Sequence, residues 1–259
     1  KIVRYAMNKF ILALKILIKY TFSKNVFHKR TIWHIFFRFF KFYYPYKIRG
    51  CYQYINIGES VSMLERLFGN YEVDIYKLID LLARPNFVFF DIGSNKGDFS
   101  LYVNSKLNNN CQIFCFEPVI ENLYYIDKSI KKNKFSNIFL LNFAINSSNK
   151  TTFLFKGKKS GTGSLNADFP LSLNIKLPTP TIKLDSFVEN YPQIKKIDLI
   201  KIDVEGAEAD VIKGSLKIIK NFSPTIIIDL HHNITKELNN TNFIIKTLTE
   251  EGYFIKSLN

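Results

Sequence analysis

From Asn86 to the end of the chain, apolar runs of strand length alternate with amphipathic stretches of helix length, and that alternation leaves few folds open. FVFFDIG (87–93) is a continuous apolar run closed by Asp and Gly, the pattern of a strand buried on both faces. Residues 97–107 then read as a helix, CQIFCFEP (111–118) as a second strand, 119–133 as a helix and NIFLLNFAI (137–145) as a third strand. TTFLF (151–155) and TIKLDSFV (181–188) flank a Gly/Ser/Pro-rich stretch, 157–180, that reads as a substrate-facing loop. IDLIKIDVEG (197–206) gives a fourth strand with a helix over 207–220, and TIIIDLHH after Pro224 gives a fifth. A helix over 235–251 and a sixth strand, YFIKSL (253–258), complete the pattern. Units of this spacing form a mostly parallel, twisted α/β sheet with helices on both faces. Ligands of such sheets bind beyond the carboxyl ends of the strands, so residues at those tips are the candidates for chemistry.

The net charge of +14 is held unevenly. Residues 1–50 carry twelve Lys and Arg and no carboxylate, while the other 209 residues carry 24 basic and 22 acidic groups. Charge confined to one segment argues against a nucleic-acid partner, and a chain 47% hydrophobic and 22% charged is not a disordered one. Lys9, Lys15 and Lys19 interrupt the apolar stretch Met7–Phe22. Each would cost about 2.5–3.5 kcal/mol at mid-membrane, which argues against a span. A secretory signal would place its cations before the apolar core. Residues 31–46, TIWHIFFRFFKFYYPY, mix cations with bulky aromatics as the headgroup boundary of an anionic membrane requires. The competing reading is a helical pair packed on the domain with its lysines in solvent. The three cysteines, Cys51, Cys111 and Cys115, are too few for a disulfide framework. A reducing, cytoplasmic setting follows, with peripheral attachment at the inner face of the membrane if residues 1–50 bind lipid. The expected organisation is a basic, aromatic, helical extension over 1–50, a helical lead-in over 51–84 and the α/β domain over 85–259. The first residue, Lys1, reads as a fragment or processed end.

Three strand tips carry candidate residues. Asp91-Ile92-Gly93-Ser94-Asn95-Lys96-Gly97 is a glycine-rich turn from strand to helix, distinct from the G-x-G-x-x-G of dinucleotide enzymes. Its glycines permit positive φ and close backbone approach. Amides at the helix start can hold a ligand carboxylate, and Asp91 can pair with a ligand ammonium, so a zwitterionic amino-acid tail fits better than a pyrophosphate. Glu117, 26 residues after Asp91, stands where an acid accepts hydrogen bonds from ribose hydroxyls. Lys201-Ile202-Asp203-Val204-Glu205-Gly206-Ala207-Glu208 sets three carboxylates at one strand end, of which Glu208 is partly accounted for by the helix dipole. Cys111 and Cys115 alternate onto one face of their strand and read as core.

The combination of D-I-G-S-N-K-G, F-E-P, K-I-D-V-E-G-A-E and I-I-D-L-H resembles the FkbM family of S-adenosylmethionine-dependent methyltransferases over roughly residues 70–258. Tyr71-Glu72 resembles that family's Y-E element, which brings Glu72 into the cofactor set. The resemblance implies a Rossmann-like methyltransferase fold and O-methylation, often of sugar hydroxyls in glycans, lipopolysaccharides or natural products. It implies that Asp91, Gly93, Ser94, Asn95 and Gly97 cradle the methionyl tail of S-adenosylmethionine and that Glu117 holds the ribose. Asn142 and Ala144 would flank the adenine. Two departures stand out. Asp229 replaces the family's usual Glu, and no seventh, antiparallel strand follows the sixth, so the domain reads as truncated at its C-terminus.

A sulfonium methyl is already electrophilic, so the protein must align a hydroxyl and remove its proton. Asp203, Glu205, His231 and His232 are the candidate groups, with His231 just past the fifth strand. Asp203 and Glu205 can hold a divalent ion, but no spacing demands one, and no metal is expected. The chain has no Pro-Pro pair and no Pro-Cys pair, which argues against amino-adenine and cytosine methyltransferases. The expectation is O-methyl transfer to a small-molecule, glycan or lipid-linked glycan acceptor. The alternative is a membrane-recruited binding module that keeps the nucleotide fold without turnover.

Overall fold

The computed structural model describes residues 43–56, 61–157, 162–166, 172–231 and 238–258. The helical, membrane-associating extension expected over 1–50 therefore lies outside the described residues as far as position 42, as do His232 and parts of the 157–180 stretch. Among the described residues no helix is long and apolar enough to cross a membrane.

Residues 44–55, expected within a helical extension and lead-in, instead form a hairpin of β1 (Tyr44–Ile48) and β2 (Cys51–Ile55). The reason is local. Tyr46, Ile48, Cys51, Gln53 and Ile55 bury every second side chain, and Arg49 and Gly50 both take positive φ (45° and 92°) to make a two-residue turn. The 50/51 boundary falls inside that turn. Helices α1 (Val61–Phe68) and α2 (Val73–Leu82) then supply the rest of the lead-in.

The main sheet is built from β3 (Phe87–Ile92), β4 (Cys111–Phe116), β5 (Ile138–Leu141), β10 (Leu199–Ile202) and β11 (Thr225–Ile228). Its order is β11-β10-β3-β4-β5 and every pair is parallel. Helix α3 (Asp98–Lys106) follows β3 and α4 (Ile120–Asn133) follows β4. Alternate side chains feed two cores, as a sheet covered on both faces must. Phe87 and Phe89 pack with Tyr76, Ile79 and Leu101, whereas Val88, Phe90 and Ile92 pack with Phe187, Val211 and Ile244. This is the Rossmann-like α/β arrangement expected. The chain winds outward through β3, β4 and β5, then returns to the other side of β3, which makes the β3–β10 boundary the switch point.

A second sheet, β6-β9-β7-β8, comprises β6 (Ala144–Ile145), β7 (Lys150–Gly157), β8 (Gly163–Ser164) and β9 (Ser172–Ile182). The single strand expected over 137–145 is thus divided between two sheets. Asn142 causes the parting, because its Nδ2 donates to the carbonyls of Glu117 (3.2 Å) and Pro118 (3.0 Å) and pins the chain where it leaves β5. Much of the loop expected over 157–180 is strand: β9 pairs with β7 from Thr181 back to Lys176, with Pro178 and Pro180 at alternate positions.

Helix α5 (Leu184–Glu189) precedes β10. The helix expected over 207–220 is two, α6 (Glu208–Lys213) and α7 (Leu216–Phe222). They part at Gly214, where a Cβ would lie 2.2 Å from the Asn146 carbonyl oxygen, so the chain needs glycine and a break there. Helix α8 (Leu238–Glu250) follows. The sixth strand does not form. Only Tyr253 of residues 253–258 finds an apolar neighbourhood, and Phe254 is 92% exposed, so the alternation there has no face to bury.

Candidate active site

The glycine turn leaves β3 at the switch point. Gly93 has φ +78°, and a Cβ on it would lie 1.9 Å from the Asp203 carbonyl oxygen, so only glycine lets the turn pass this close to β10. Asn95 (φ 49°) and Gly97 (φ 75°) complete the left-handed steps before α3. Asp91 lies beneath the turn rather than at its surface. It is 1% exposed, its Oδ2 accepts from Ser100 Oγ at 2.6 Å, and burial raises its pKa against the pull of Lys201. Ser94 is buried and lines the cavity above.

Glu117 closes the turn from β4. Its Oε2 accepts from the Asn95 amide at 2.8 Å and its Oε1 from the Val119 amide at 2.9 Å, so one carboxylate fixes both the glycine turn and the entry to α4. Burial pushes its pKa up to about 7, against these two hydrogen bonds and the charge of Lys96. Of the pair expected at the adenine, Ala144 lines the cavity, while Asn142 is exposed and committed to the two carbonyls named above.

Between the turn, Glu117 and β10 lies a cavity of about 180 Å³. Its other end is formed by residues that sequence reasoning did not select. Arg66 of α1 donates through Nε to Asp98 Oδ2 at 2.7 Å, with both side chains buried, and its guanidinium lies 3.8 Å from the centroid of the Tyr71 ring. Among the described residues, Glu72 Oε2, Asp91 Oδ1 and Asp98 Oδ1 are buried acceptors without a hydrogen-bond partner. Burial raises the Glu72 carboxyl, with Lys201 opposing. Asp98 lines the cavity, with Glu72 and Asp91 behind its wall, and an orphaned carboxylate oxygen beside a glycine turn that presents backbone at close range suits a ligand with an ammonium group on a zwitterionic tail. The residues present therefore fit the donor that the motifs imply. Charge pairing across α1 and α3 has no local sequence signal, which is why Arg66 and Asp98 were invisible.

Lys201 joins the two ends. It is buried, bonds Asp203 Oδ2 at 2.9 Å, and stays charged because Asp203, Asp91 and Glu72 outweigh the cost of burial. In return, Lys201 overcomes burial at Asp203 and holds that carboxyl below its usual range. The structure brings Asp203, Glu205 and His231 together. His231 Nε2 lies 3.5 Å from Glu205 Oε2, 3.9 Å from Asp203 Oδ1 and 3.8 Å from Asp229 Oδ2. Its Nδ1 meets Glu208 Oε1 at 2.8 Å, and Glu208 is 5% exposed. Glu208 thus does more than serve the helix dipole: it orients the ring. Burial would lower the His231 pKa, but the Glu208 hydrogen bond and the charges of Glu205, Glu208 and Asp229 override it, to about 9. Burial raises the Glu205 carboxyl. Asp203, Asp229 and His231 each turn a ligand atom to within 4.8 Å of the others, a set able to share a cation. Protonated, the ring is no ligand and is instead the cation that Asp203 and Asp229 face. The tip of the second sheet closes over this block, where Ser164 Oγ donates to the Glu205 carbonyl at 2.6 Å, Glu205 itself sits at φ 55°, and Leu165 lines the cavity.

The sequence matches the Methyltransferase FkbM domain over residues 91–255. It is 25% identical over 175 residues to Methyltransferase 1 of Beauveria bassiana, covering 61% of this chain and 70% of that one. It is 24% identical over 163 residues to the hexuronic acid methyltransferase AglP of Haloferax volcanii, covering 63% of this chain and 64% of that one. Among solved structures, the methyltransferase FkbM of Methylobacillus flagellatus aligns with a TM-score of 0.46 and 16% identity, over 75% of this chain and 49% of that one. The chain thus spans about half the length of that neighbour. The fibrillarin of Aeropyrum pernix, solved with S-adenosyl-L-methionine, aligns with a TM-score of 0.41 and 15% identity, over 71% of this chain and 64% of that one.

Proposed function

The chain belongs to the FkbM methyltransferase family, and on that footing we propose that it methylates a hydroxyl oxygen of a saccharide, with S-adenosylmethionine as donor. When bound, the donor supplies a methyl group made electrophilic by its sulfonium. The glycine turn and Asp98 would hold its methionyl end, Glu117 its ribose and Ala144 its base, with Glu72 and Asp91 acting from behind the lining through Lys201. The observation that carries O-methylation is the Glu208–His231 pair, which stands beside Asp203 and Glu205 of the cavity lining. Glu208 fixes the ring through Nδ1, so that in the neutral ring Nε2 is the atom that takes the proton of an incoming hydroxyl. Asp203 and Glu205 flank that nitrogen and favour the imidazolium so formed. A binding module without turnover has no use for a buried carboxylate that aligns an imidazole. The relative named a hexuronic acid methyltransferase supports a sugar acceptor.

The test is methyl transfer from labelled S-adenosylmethionine to a panel of sugar and uronic-acid acceptors. His231→Gln should lower turnover by about 10²–10⁴-fold, the usual share of general-base catalysis, with unchanged affinity for S-adenosylhomocysteine. Near-parental turnover in that variant removes His231 from the reaction. Activity that dies with a chelator and returns with a divalent ion would instead give the Asp203–Asp229–His231 set to a cation.

A further inference from the structure

On the outer side of α4 the helical repeat lines up Ile120, Tyr124, Lys128 and Lys132. β2 runs alongside, its Tyr52 and Tyr54 amides donating to Asn133 Oδ1 (2.7 Å) and Ser129 Oγ (2.9 Å). The two elements form one surface of interleaved tyrosines and lysines. Lys128 Nζ lies 4.5 Å from the Tyr124 ring centroid and 5.7 Å from that of Tyr54, and Lys132 Nζ lies 5.1 Å from that of Tyr52. Ile120 is 73% exposed and Tyr124 52% exposed, although both are large and apolar in body. Lys47, opposite Tyr52 in the hairpin, extends the positive surface. Tyr43 stacks on Tyr125 of the same helix with ring centroids 3.5 Å apart. The described chain thus begins at Tyr43 beside this face, and the 42 residues before it hold ten Lys and Arg and no carboxylate.

We infer that this face of the folded domain is a docking surface for an anionic lipid bilayer. Tyrosines with apolar bodies and polar tips, lysines with apolar stems, and an exposed isoleucine are what the headgroup boundary accommodates. Lys47, Lys128 and Lys132 on this surface are complementary to anionic headgroups. Single-stranded nucleic acid also stacks on tyrosines beside cations. Ile120 and the aliphatic and aromatic density of residues 31–42 favour lipid. The face borders the site, since Val119, directly before Ile120, lines the donor cavity. Resting on the methyltransferase reading, this position favours a lipid-linked saccharide as the acceptor.

Flotation of the full chain with phosphatidylcholine vesicles, with and without phosphatidylglycerol, tests the surface. Binding should need the anionic lipid and weaken with salt. Each lysine at such a surface is worth roughly a fivefold share of partitioning, so a variant carrying Lys128→Glu and Lys132→Glu should lose at least about 25-fold. A second variant, Ile120→Asn with Tyr124→Ser, should lose the salt-resistant remainder. Parental flotation of both variants, or no flotation of the full chain on anionic vesicles at low salt, overturns the inference. So does displacement of the vesicles by a single-stranded RNA oligonucleotide. Calorimetry with S-adenosylhomocysteine reads separately: the variants should bind it as the parent does, and a parent that fails to bind it sinks the methyltransferase reading while the flotation result stands.

Discussion

His231 and Glu117 are two residues whose surroundings set their chemistry, in opposite senses. At His231, the Glu208 hydrogen bond and a ring of carboxylates move the imidazole from 6.5 to about 9, so the resting ring is mostly protonated at neutral pH. Because its folded value is raised, the stability this group contributes is full below about 6.5 and is lost as pH rises through about 9. A base needs the neutral ring, so turnover should climb with pH toward about 9. Glu208→Gln removes one of the charges that hold the proton. The pH–rate profile of that variant should move its alkaline midpoint toward 6.5, and an unmoved midpoint would separate Glu208 from the base. At Glu117, burial lifts the carboxyl from 4.5 to about 7, so its contribution to stability is full below about 4.5 and disappears as pH rises through about 7. Ribose hydroxyls donate to the ionised form. Binding of S-adenosylhomocysteine below pH about 7 should therefore release a proton, seen as a dependence of the calorimetric heat on buffer ionisation, and affinity should level off above about 7.

Among elements, the second sheet has the least legible role in sequence and a direct hand in the site. Its β6 strand starts where Asn142 pulls the chain away from β5, and its β8 tip reaches the Glu205 carbonyl through Ser164. Glu205, at φ 55°, needs such a partner to hold a conformation that side chains disfavour. Ser164→Ala should cost about 1 kcal/mol of stability, the usual net worth of one hydrogen bond. It should lower turnover several-fold while leaving S-adenosylhomocysteine affinity intact, because the bond is to the carboxylate block and not to the glycine turn. Urea melts paired with steady-state kinetics check both halves. Periodicity gave β3, β4 and the helices that follow them to within a residue or two, and placed β10 inside a longer run, since buried strands and amphipathic helices write their burial into the chain. It missed the β1–β2 hairpin, where aromatic density masked a period of two, and it joined α6 to α7 across Gly214, whose contact with Asn146 is long-range.

At the scale of the whole molecule, the donor cavity draws on α1, the glycine turn, the β4 tip, β10 and the second sheet, so occupancy should brace all of them. A ligand that binds only the folded state at a hundred times its Kd adds about 2.7 kcal/mol. For a chain of this size S-adenosylhomocysteine should raise Tm by roughly 5–10 °C, and no shift would mean that the cavity does not take the donor. By itself the sequence determined the parallel sheet, the family, and the tips at Gly93, Glu117 and Asp203, because strand burial and the glycine turn are local and repeat along the chain. Tertiary structure alone decided that Arg66 pairs with Asp98, that Lys201 sets its charge among Asp203, Asp91 and Glu72, and that Glu208 aims His231 at the acids that follow β10. The paired groups are separated by 32 residues for Arg66 and Asp98 and by 23 for Glu208 and His231. Electrostatic pairing leaves no periodic trace in a sequence: it depends on where folding sets two charges and on how much water is left between them.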